Sequence, residues 1–192
     1  MRYIILYVVL ALSVFAFADD SGTGIKTNLV PNGTFDENPK SLNGWDQFPE
    51  DGSVKWVTLD AERGKGILFS LSKKVAHSTG LLFYSEYIPI EEGKKYRFSL
   101  DYRSDGPKPK PFIKGYALFP DVHDKVERRE IYKKQIFVDN VSSEWTTITM
   151  EFTPKNPIYE GKYEIKWVKV LLYAYLKPGK IYFDNVRIEE SE

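Results

Sequence analysis

An acid and an amide interrupt an apolar stretch near the end of the chain, where residues 181–188 read IYFDNVRI. Aromatic and β-branched residues on both sides favour a strand, whereas Asp184 and Asn185 have poor strand propensity. A carboxylate in mid-strand either faces solvent from an edge strand or binds a cation, since hard cations prefer oxygen ligands. This strand alone leaves both interpretations open.

The rest of the chain offers few residues with catalytic chemistry. It has no cysteine, no Gly-x-Ser-x-Gly elbow and no Gly-rich phosphate loop, and neither histidine, His77 or His123, has the spacing of a metal site. Paired carboxylates support glycoside hydrolysis, but 27 acidic residues offer many pairs and nothing selects one. We therefore expect no enzymatic activity. A polysaccharide lyase that works with Tyr, Arg and Lys is the catalytic alternative, beside a hydrolase.

Composition narrows the class of partner. The 27 basic and 27 acidic residues give a formal net charge of zero, which argues against electrostatic binding to nucleic acid or to an anionic membrane. Aromatic residues make up 15% of the chain and are mostly Tyr and Phe. Sheets bury such residues in their cores, and binding surfaces expose them to ligands.

The first residues have the pattern of a secretory signal peptide. Met1-Arg2 is a short positive segment, residues 3–17 are an uncharged apolar run, and Ala16-Phe17-Ala18 is a small-x-small cleavage site. A membrane anchor is the alternative, but the run is shorter than the roughly 20 residues that cross a bilayer. We predict a signal peptide at 1–18 cleaved at about Ala18, a flexible lead at 19–26 and one domain at 27–190. The mature protein is then extracellular or periplasmic, without a membrane span.

Period-2 alternation of apolar and polar residues runs through the predicted domain. It is sharpest at residues 96–103, where one face carries Tyr96, Phe98, Leu100 and Tyr102 and the other Arg97, Ser99, Asp101 and Arg103. Residues 163–176 place Val168, Val170, Leu172 and Ala174 on one face and Trp167, Lys169, Leu171, Tyr173 and Tyr175 on the other. Further strands are predicted at 53–60, 67–71, 81–90, 112–119, 131–138 and 144–154. The charged residues 121–130 are predicted as a solvated loop, and no segment has a convincing helical period. The pattern indicates an all-β sandwich or jelly roll.

Four motifs, in order, resemble the family 4/9 carbohydrate-binding modules. The opening NLVPNGTFDENPKSLNGWDQF at 28–48 resembles the family's Asn-Gly-x-Phe-Glu signature followed by Gly-Trp. EEGKKYRFSLDYRSD at 91–105 and EWTTITMEFTP at 144–154 resemble two of its strands, and GKIYFDNVRIEE at 179–190 resembles its closing strand. The resemblance implies a jelly-roll β-sandwich of two antiparallel sheets, of the galactose-binding-like type, that binds poly- or oligosaccharide without catalysis.

The resemblance also implies a structural calcium ion. Carried over by position, its ligands are Asp36, the Gly33 carbonyl and Asp184, with Asp60 and Glu62 as further candidates. Calcium takes 6 to 8 oxygen ligands and mixes carboxylates with backbone carbonyls. The sequence has Asp36 where the family usually has Glu, so this side chain reaches one methylene less far.

Sugar binding needs flat aromatic faces and polar side chains on an exposed sheet face. The alternation predicts the following residues for this role: Arg97, Asp101, Arg103, Tyr116, Tyr173 and Tyr175. Core packing is the alternative role for each Tyr. A structural or protein-interaction domain on the same fold is the alternative function. Since such modules usually accompany enzymes, a glycan-degrading enzyme is an expected partner.

Overall fold

The computed structural model describes residues 27–37, 44–120, 126–159 and 161–191, so the predicted signal peptide and the whole predicted lead lie outside it. Within these ranges the chain forms eleven strands and one short helix. They are β1 (Val54–Thr58), β2 (Lys65–Leu71), α1 (Lys73–Ala76), β3 (Leu81–Tyr84), β4 (Ile88–Pro89), β5 (Tyr96–Ser104), β6 (Lys108–Pro109), β7 (Phe112–Pro120), β8 (Val126–Gln135), β9 (Thr146–Phe152), β10 (Trp167–Tyr175) and β11 (Gly179–Glu190). No helix among the described residues is long and apolar enough to cross a membrane.

The strands form two antiparallel sheets, which confirms the predicted jelly-roll β-sandwich. Sheet I has the order β1-β2-β11-β5-β9 in the described part of the chain. Sheet II has the order β3-β10-β7-β8, and the short strands β4 and β6 also pair with β10. The hydrophobic core lies between the two sheets and buries side chains from both.

The two strands with the clearest alternation lie in different sheets. On β5, Tyr96, Phe98, Leu100 and Tyr102 are at most 2% exposed. On β10, Val168, Val170, Leu172 and Ala174 are fully buried. Because successive side chains of a strand point to opposite faces, the other residues of each strand lie on the outer face of its own sheet. The outer faces of β5 and β10 are therefore on opposite sides of the molecule.

The predicted loop at 121–130 is partly wrong, because residues 126–130 form the first half of β8. β8 is the last strand of sheet II and pairs only with β7 in the described part of the chain. Side chains of an edge strand stay largely in solvent, so this strand tolerates the charges that suggested a loop. Residues 121–125, including His123, lie outside the described residues.

The unfavourable pair Asp184-Asn185 marks a β-bulge in β11. The register between β11 and β5 shifts between Asp184 and Arg187, and Asn185 has a φ of 48°. Asn tolerates this left-handed conformation better than most residues. The Asp184 carboxylate accepts the Asn185 N–H at 2.7 Å and so stabilises the bulge. Residues with poor strand propensity therefore sit where the strand is irregular.

The N-terminal segment lies along this bulge. The Val186 N–H donates to the Gly33 carbonyl at 2.8 Å, and the Leu29 N–H donates to the Ile188 carbonyl at 2.8 Å. The Asn28 side chain accepts from the Ile188 N–H at 3.1 Å and donates to the Val186 carbonyl at 3.0 Å. Direct hydrogen bonds thus join the first described residues to the last strand.

Candidate functional site

The outer face of sheet II carries a strip of aromatic and basic side chains, which we call the sheet II face. β10 runs through it and contributes Trp167, Lys169, Leu171, Tyr173 and Tyr175. The nine residues of β10 span about 26 Å at the usual rise per residue. β3 and β7 pair with β10 on its two sides, and β8 pairs with β7. All three strands add side chains to the face.

Aromatic rings cluster at the N-terminal end of β10. Tyr116 on β7 is the direct cross-strand partner of Trp167. The ring of Tyr87 meets Tyr116 edge-on with centroids 5.1 Å apart, and meets Trp167 at 6.5 Å. The Arg128 guanidinium lies 4.6 Å from the Tyr87 centroid and 4.8 Å from the Trp167 centroid. Burial raises the pKa of Tyr116 to about 12.

A second aromatic group lies at the C-terminal end of β10. The rings of Tyr173 and Tyr175 stack with centroids 5.2 Å apart and an angle of 19° between their planes. The Tyr173 hydroxyl donates to the Thr79 carbonyl at 3.0 Å, which fixes the ring's orientation. The Lys110 ammonium lies 5.3 Å from the Tyr175 centroid and 5.6 Å from that of Phe112.

A surface cleft of about 240 Å³ lies between these two aromatic groups. Its lining is Thr79, Leu82, Tyr84, Phe112, Lys114, Lys133, Leu171 and Tyr173. Leu171 and Phe112 are 4% and 9% exposed and form an apolar floor. The Lys114 ammonium donates to the Tyr84 hydroxyl at 3.1 Å and pairs with Glu130 at 2.9 Å. Burial disfavours the charged form of Lys114, but these partners raise its pKa above the ordinary value.

The outer face of sheet I is built around a charged network. The Arg63 guanidinium donates to Asp101 at 2.9 Å and lies 3.6 Å from Asp184. Asp101 also accepts from the Thr147 hydroxyl at 2.6 Å and from the Asn185 amide at 2.9 Å. Burial acts to raise the pKa of Asp101, but the hydrogen bonds from Thr147, Arg63 and Asn185 hold it below the ordinary value. The network therefore holds Asp101 ionised and occupies its oxygens.

Aromatic rings also flank arginines on this face. Trp145 lies between Arg63, at 4.3 Å from its ring centroid, and Arg103, at 5.3 Å. Arg103 also lies 4.7 Å from the Tyr182 centroid. Arg97, which is exposed, lies 3.8 Å from Glu151.

The six residues predicted to bind sugar divide between the two faces. Tyr116, Tyr173 and Tyr175 lie on the sheet II face, where cross-strand pairing brings them into one strip. Arg97, Asp101 and Arg103 lie on the outer face of sheet I. One binding site cannot include both sets, because the core of the sandwich separates them. Each residue remains a predicted sugar contact on its own face.

Sequence reasoning did not select several residues of the sheet II face. Trp167 and Lys169 have the same parity on β10 as Tyr173, and this signal was present in the sequence. Tyr84 and Arg128 reach the strip through strand pairing that a single sequence does not specify. Tyr87 reaches it from the connection between β3 and β4.

Of the predicted calcium ligands, Gly33 contacts the bulge that contains Asp184. Asp184 is 1% exposed, and burial, with smaller contributions from the negative charges of Asp101 and Asp36, raises its pKa to about 6. Asp36 accepts the Lys65 N–H at 3.3 Å, and the Gly33 carbonyl accepts from Val186. Carboxylate and backbone carbonyl oxygens, as in Asp36, Asp184 and Gly33, are the ligand types that calcium binds. No group of three or more His, Asp or Glu side chains in the described ranges is placed to hold a metal ion, so backbone carbonyls would have to complete the set. Asp60 instead accepts the Glu62 and Arg63 N–H groups at 3.1 and 2.8 Å.

A family model and several solved structures match this chain. The family model of the 4/9 type, described as a carbohydrate binding domain, matches residues 27–168. The chain belongs to this family, which confirms the resemblance of its motifs. No curated protein sequence matches the chain.

Solved structures agree on the fold. A protein from Bacteroides thetaiotaomicron VPI-5482 has a TM-score of 0.55 at 14% identity, covering 86% of this chain and 100% of that one. A family 4 carbohydrate-binding module has a TM-score of 0.52 at 19% identity, covering 84% and 99%. A cyclase from Fischerella sp. TAU, in complex with an indolyl butanone, has a TM-score of 0.51 at 16% identity, covering 85% and 97%. The same fold therefore occurs in binding modules and in an enzyme.

Proposed function

We propose that this chain is an exported, non-catalytic module that binds a poly- or oligosaccharide along the sheet II face. The observation that carries the proposal is the strip on β10, with aromatic groups at both ends and a cleft between them. A linear glycan laid along β10 contacts both groups at once. Export follows from the signal-peptide pattern of residues 1–18.

The side chains of the strip match the chemistry of sugars. Pyranose C–H edges pack on aromatic faces, and a few placed polar groups fix the orientation of a ligand. Lys114, the Tyr84 hydroxyl and Glu130 lie beside the apolar floor, where Lys114 already bonds the other two, and a sugar would use their remaining donor and acceptor positions. An open face of this kind binds weakly, at roughly micromolar to millimolar Kd, or about −8 to −4 kcal/mol.

The sheet I face is less suited to be the main site. Asp101 has its oxygens engaged by Arg63, Thr147 and Asn185, so a sugar hydroxyl would have to displace one of them. Arg97 and Arg103 remain available for a separate contact with glycan. Glycan affinities of variants on each face distinguish binding on sheet I from binding on sheet II.

Two other functions compete with this proposal. A protein-interaction domain of the same fold would use a flat apolar patch, whereas the strip is interrupted by lysines and by an arginine. An enzyme is the second competitor, since a cyclase has this fold. Release of reducing ends or of unsaturated products from a polysaccharide panel would favour a hydrolase or a lyase. A glycan-degrading enzyme as partner explains a binding module that has no catalysis of its own.

We also propose that calcium, held by Asp36, Asp184 and the Gly33 carbonyl, stabilises the fold. Support comes from Asp184, a carboxylate that is 1% exposed and faces the negative charge of Asp36 and Asp101. Arg63 offsets part of this charge from 3.6 Å, and a bound cation would offset more. Calcium would therefore contribute to stability rather than to sugar recognition.

Affinity electrophoresis of the mature protein against a panel of polysaccharides tests the main proposal. Retardation on at least one polysaccharide is expected, and it should be reduced in Tyr175→Ala. Arg97→Ala, on the opposite face, measures any contribution of sheet I. No retardation on any polysaccharide would contradict the proposed function.

A further inference from the structure

The sheet II face concentrates positive charge on a chain with no formal net charge. Five cationic side chains lie over aromatic rings of this face in the described ranges: Lys110, Lys114, Arg128, Lys133 and Lys169. Two have carboxylate partners, since Lys114 pairs with Glu130 at 2.9 Å and Lys169 lies 3.7 Å from Asp46. The face therefore carries a local excess of cations.

The remaining three cations rest on aromatic rings instead of carboxylates. Arg128 lies over Tyr87 and Trp167, and Lys110 over Tyr175 and Phe112. Lys133 lies 5.8 Å from the Phe112 centroid. None of the three has an ion pair with a carboxylate of the described residues. Cation–π contact holds a charged group in place without neutralising it.

The sheet I face is different. Arg63 pairs with Asp101, Arg97 lies 3.8 Å from Glu151, and Arg187 lies 3.8 Å from Glu189. Most of its arginines thus have an acidic neighbour within the described residues, whereas Arg103 and the exposed Lys55 and Lys180 have none. What distinguishes the sheet II face is that its three cations without an acidic neighbour in the described residues lie beside the aromatic strip.

From this arrangement we propose that the glycan bound on the sheet II face is anionic, with uronate carboxylates or sulfate esters that meet Arg128, Lys133 and Lys110. This inference rests on the proposed function and names its ligand class. The three cations lie at both ends of the strip and beside the central cleft. A polymer that repeats its anionic groups along β10 can therefore contact a cation and an aromatic ring at successive positions. Complementary charge of this kind sets specificity and association rate more than it sets affinity.

The experiment compares three ligands of matched length at low and at physiological salt. Polygalacturonate supplies carboxylates, a sulfated galactan supplies sulfates, and laminarin is neutral. We expect one of the anionic polymers to bind at least tenfold more tightly than laminarin at low salt. Its advantage should shrink at physiological ionic strength, because exposed charge pairs are screened.

Variants identify the cations. Arg128→Gln and Lys133→Gln should each weaken anionic binding about two- to fivefold, as expected for exposed charge pairs. Lys180→Gln is the matched control, since Lys180 is an exposed lysine on β11 of sheet I. It should leave the affinity unchanged, and thermal melting should show that all three variants are folded.

Other outcomes separate the inference from the proposed function. Binding of laminarin as tight as that of both anionic polymers would overturn the inference and leave the proposed function in place. No binding to any of the three, or to a wider panel, would overturn both. Polyglutamate that binds as tightly as the anionic glycans would show a charge effect without sugar recognition and would also overturn the inference.

Discussion

Trp167 on β10 and Tyr116 on β7 are direct cross-strand partners, and the ring of Tyr87 meets both edge-on. Cross-strand pairs place their side chains on one sheet face within contact distance. The pairing of β7 with β10 thus places two of these rings, and Tyr87 adds the third from the connection between β3 and β4. The sheet fixes the positions of Trp167 and Tyr116, so little conformational entropy of these two residues needs to be lost on binding.

The ring of Tyr173 should matter for binding more than its hydroxyl does. Tyr173→Ala removes the stacking partner of Tyr175, and we expect about tenfold weaker glycan binding, or about 1.4 kcal/mol. Tyr173→Phe loses only the hydrogen bond to Thr79 and should stay within about threefold of wild type. Isothermal titration with the best polysaccharide of the panel measures both. Equal loss in the two variants would contradict a stacking role.

Trp167→Ala should weaken binding at the other end of the strip by a similar factor, because Trp167 offers the larger ring. Tyr182→Ala is the control, since Tyr182 is a half-buried aromatic on the outer face of sheet I. If the control loses as much affinity as Trp167→Ala, the ligand does not lie on the sheet II face.

Arg63 should contribute to the stability of the fold. Removing it leaves Asp101 and the nearly buried Asp184 without their nearest cation, so Arg63→Ala should lower the free energy of unfolding by about 1–3 kcal/mol. Arg187→Ala removes a more exposed arginine, with a side chain 49% exposed and 3.8 Å from Glu189, and should cost less than about 0.5 kcal/mol. Urea denaturation compares the two. Similar losses of unfolding free energy in the two variants would show that the charged network adds little to the stability of the fold.

Calcium should stabilise the protein through Asp184. Chelation by EDTA is expected to lower the Tm of the wild type, and added calcium should restore it more than added magnesium does. Asp184→Ala should show little response to either treatment. Identical melting curves of the wild type with and without chelator would remove calcium from the account.

The contact of Gly33 with β11 should tolerate no side chain. A Cβ at Gly33 would lie 2.1 Å from the Val186 carbonyl oxygen, so Gly33→Ala must push the N-terminal segment away from the bulge. We expect a loss of about 2 kcal/mol or more in the free energy of unfolding. Thr34→Ala changes the exposed neighbouring residue and should have an effect within about 0.5 kcal/mol. A Gly33→Ala variant as stable as Thr34→Ala would show that this contact is dispensable.

The sequence was a good guide to the strands whose two faces differ. The alternation in β5 and β10 predicted which side chains are buried, because the burial of one face imposes a period of two. β8 was partly missed because an edge strand has no buried face to impose this period. The bulge at Asp184-Asn185 was visible only as two residues of poor strand propensity, which signal an irregularity without giving its geometry.

The candidate site was harder to predict than the fold. Parity along one strand identified Tyr173 and Tyr175, but it did not show that β5 and β10 belong to different sheets. Sheet membership depends on pairings between residues far apart in sequence, such as Trp167 with Tyr116 or Asp184 with Asp101. The predicted set therefore joined residues from two opposite faces. Arg128, which lies over two rings of the sheet II face, was missed for the same reason.

The most direct test of the central claim is a titration of the mature protein with the best polysaccharide of the panel, in wild type, in Tyr175→Ala and in Tyr182→Ala. The account predicts micromolar to millimolar binding by the wild type, clear weakening in Tyr175→Ala and unchanged affinity in Tyr182→Ala. Wild-type affinity retained in Tyr175→Ala and lost in Tyr182→Ala would place the ligand on sheet I and contradict the account.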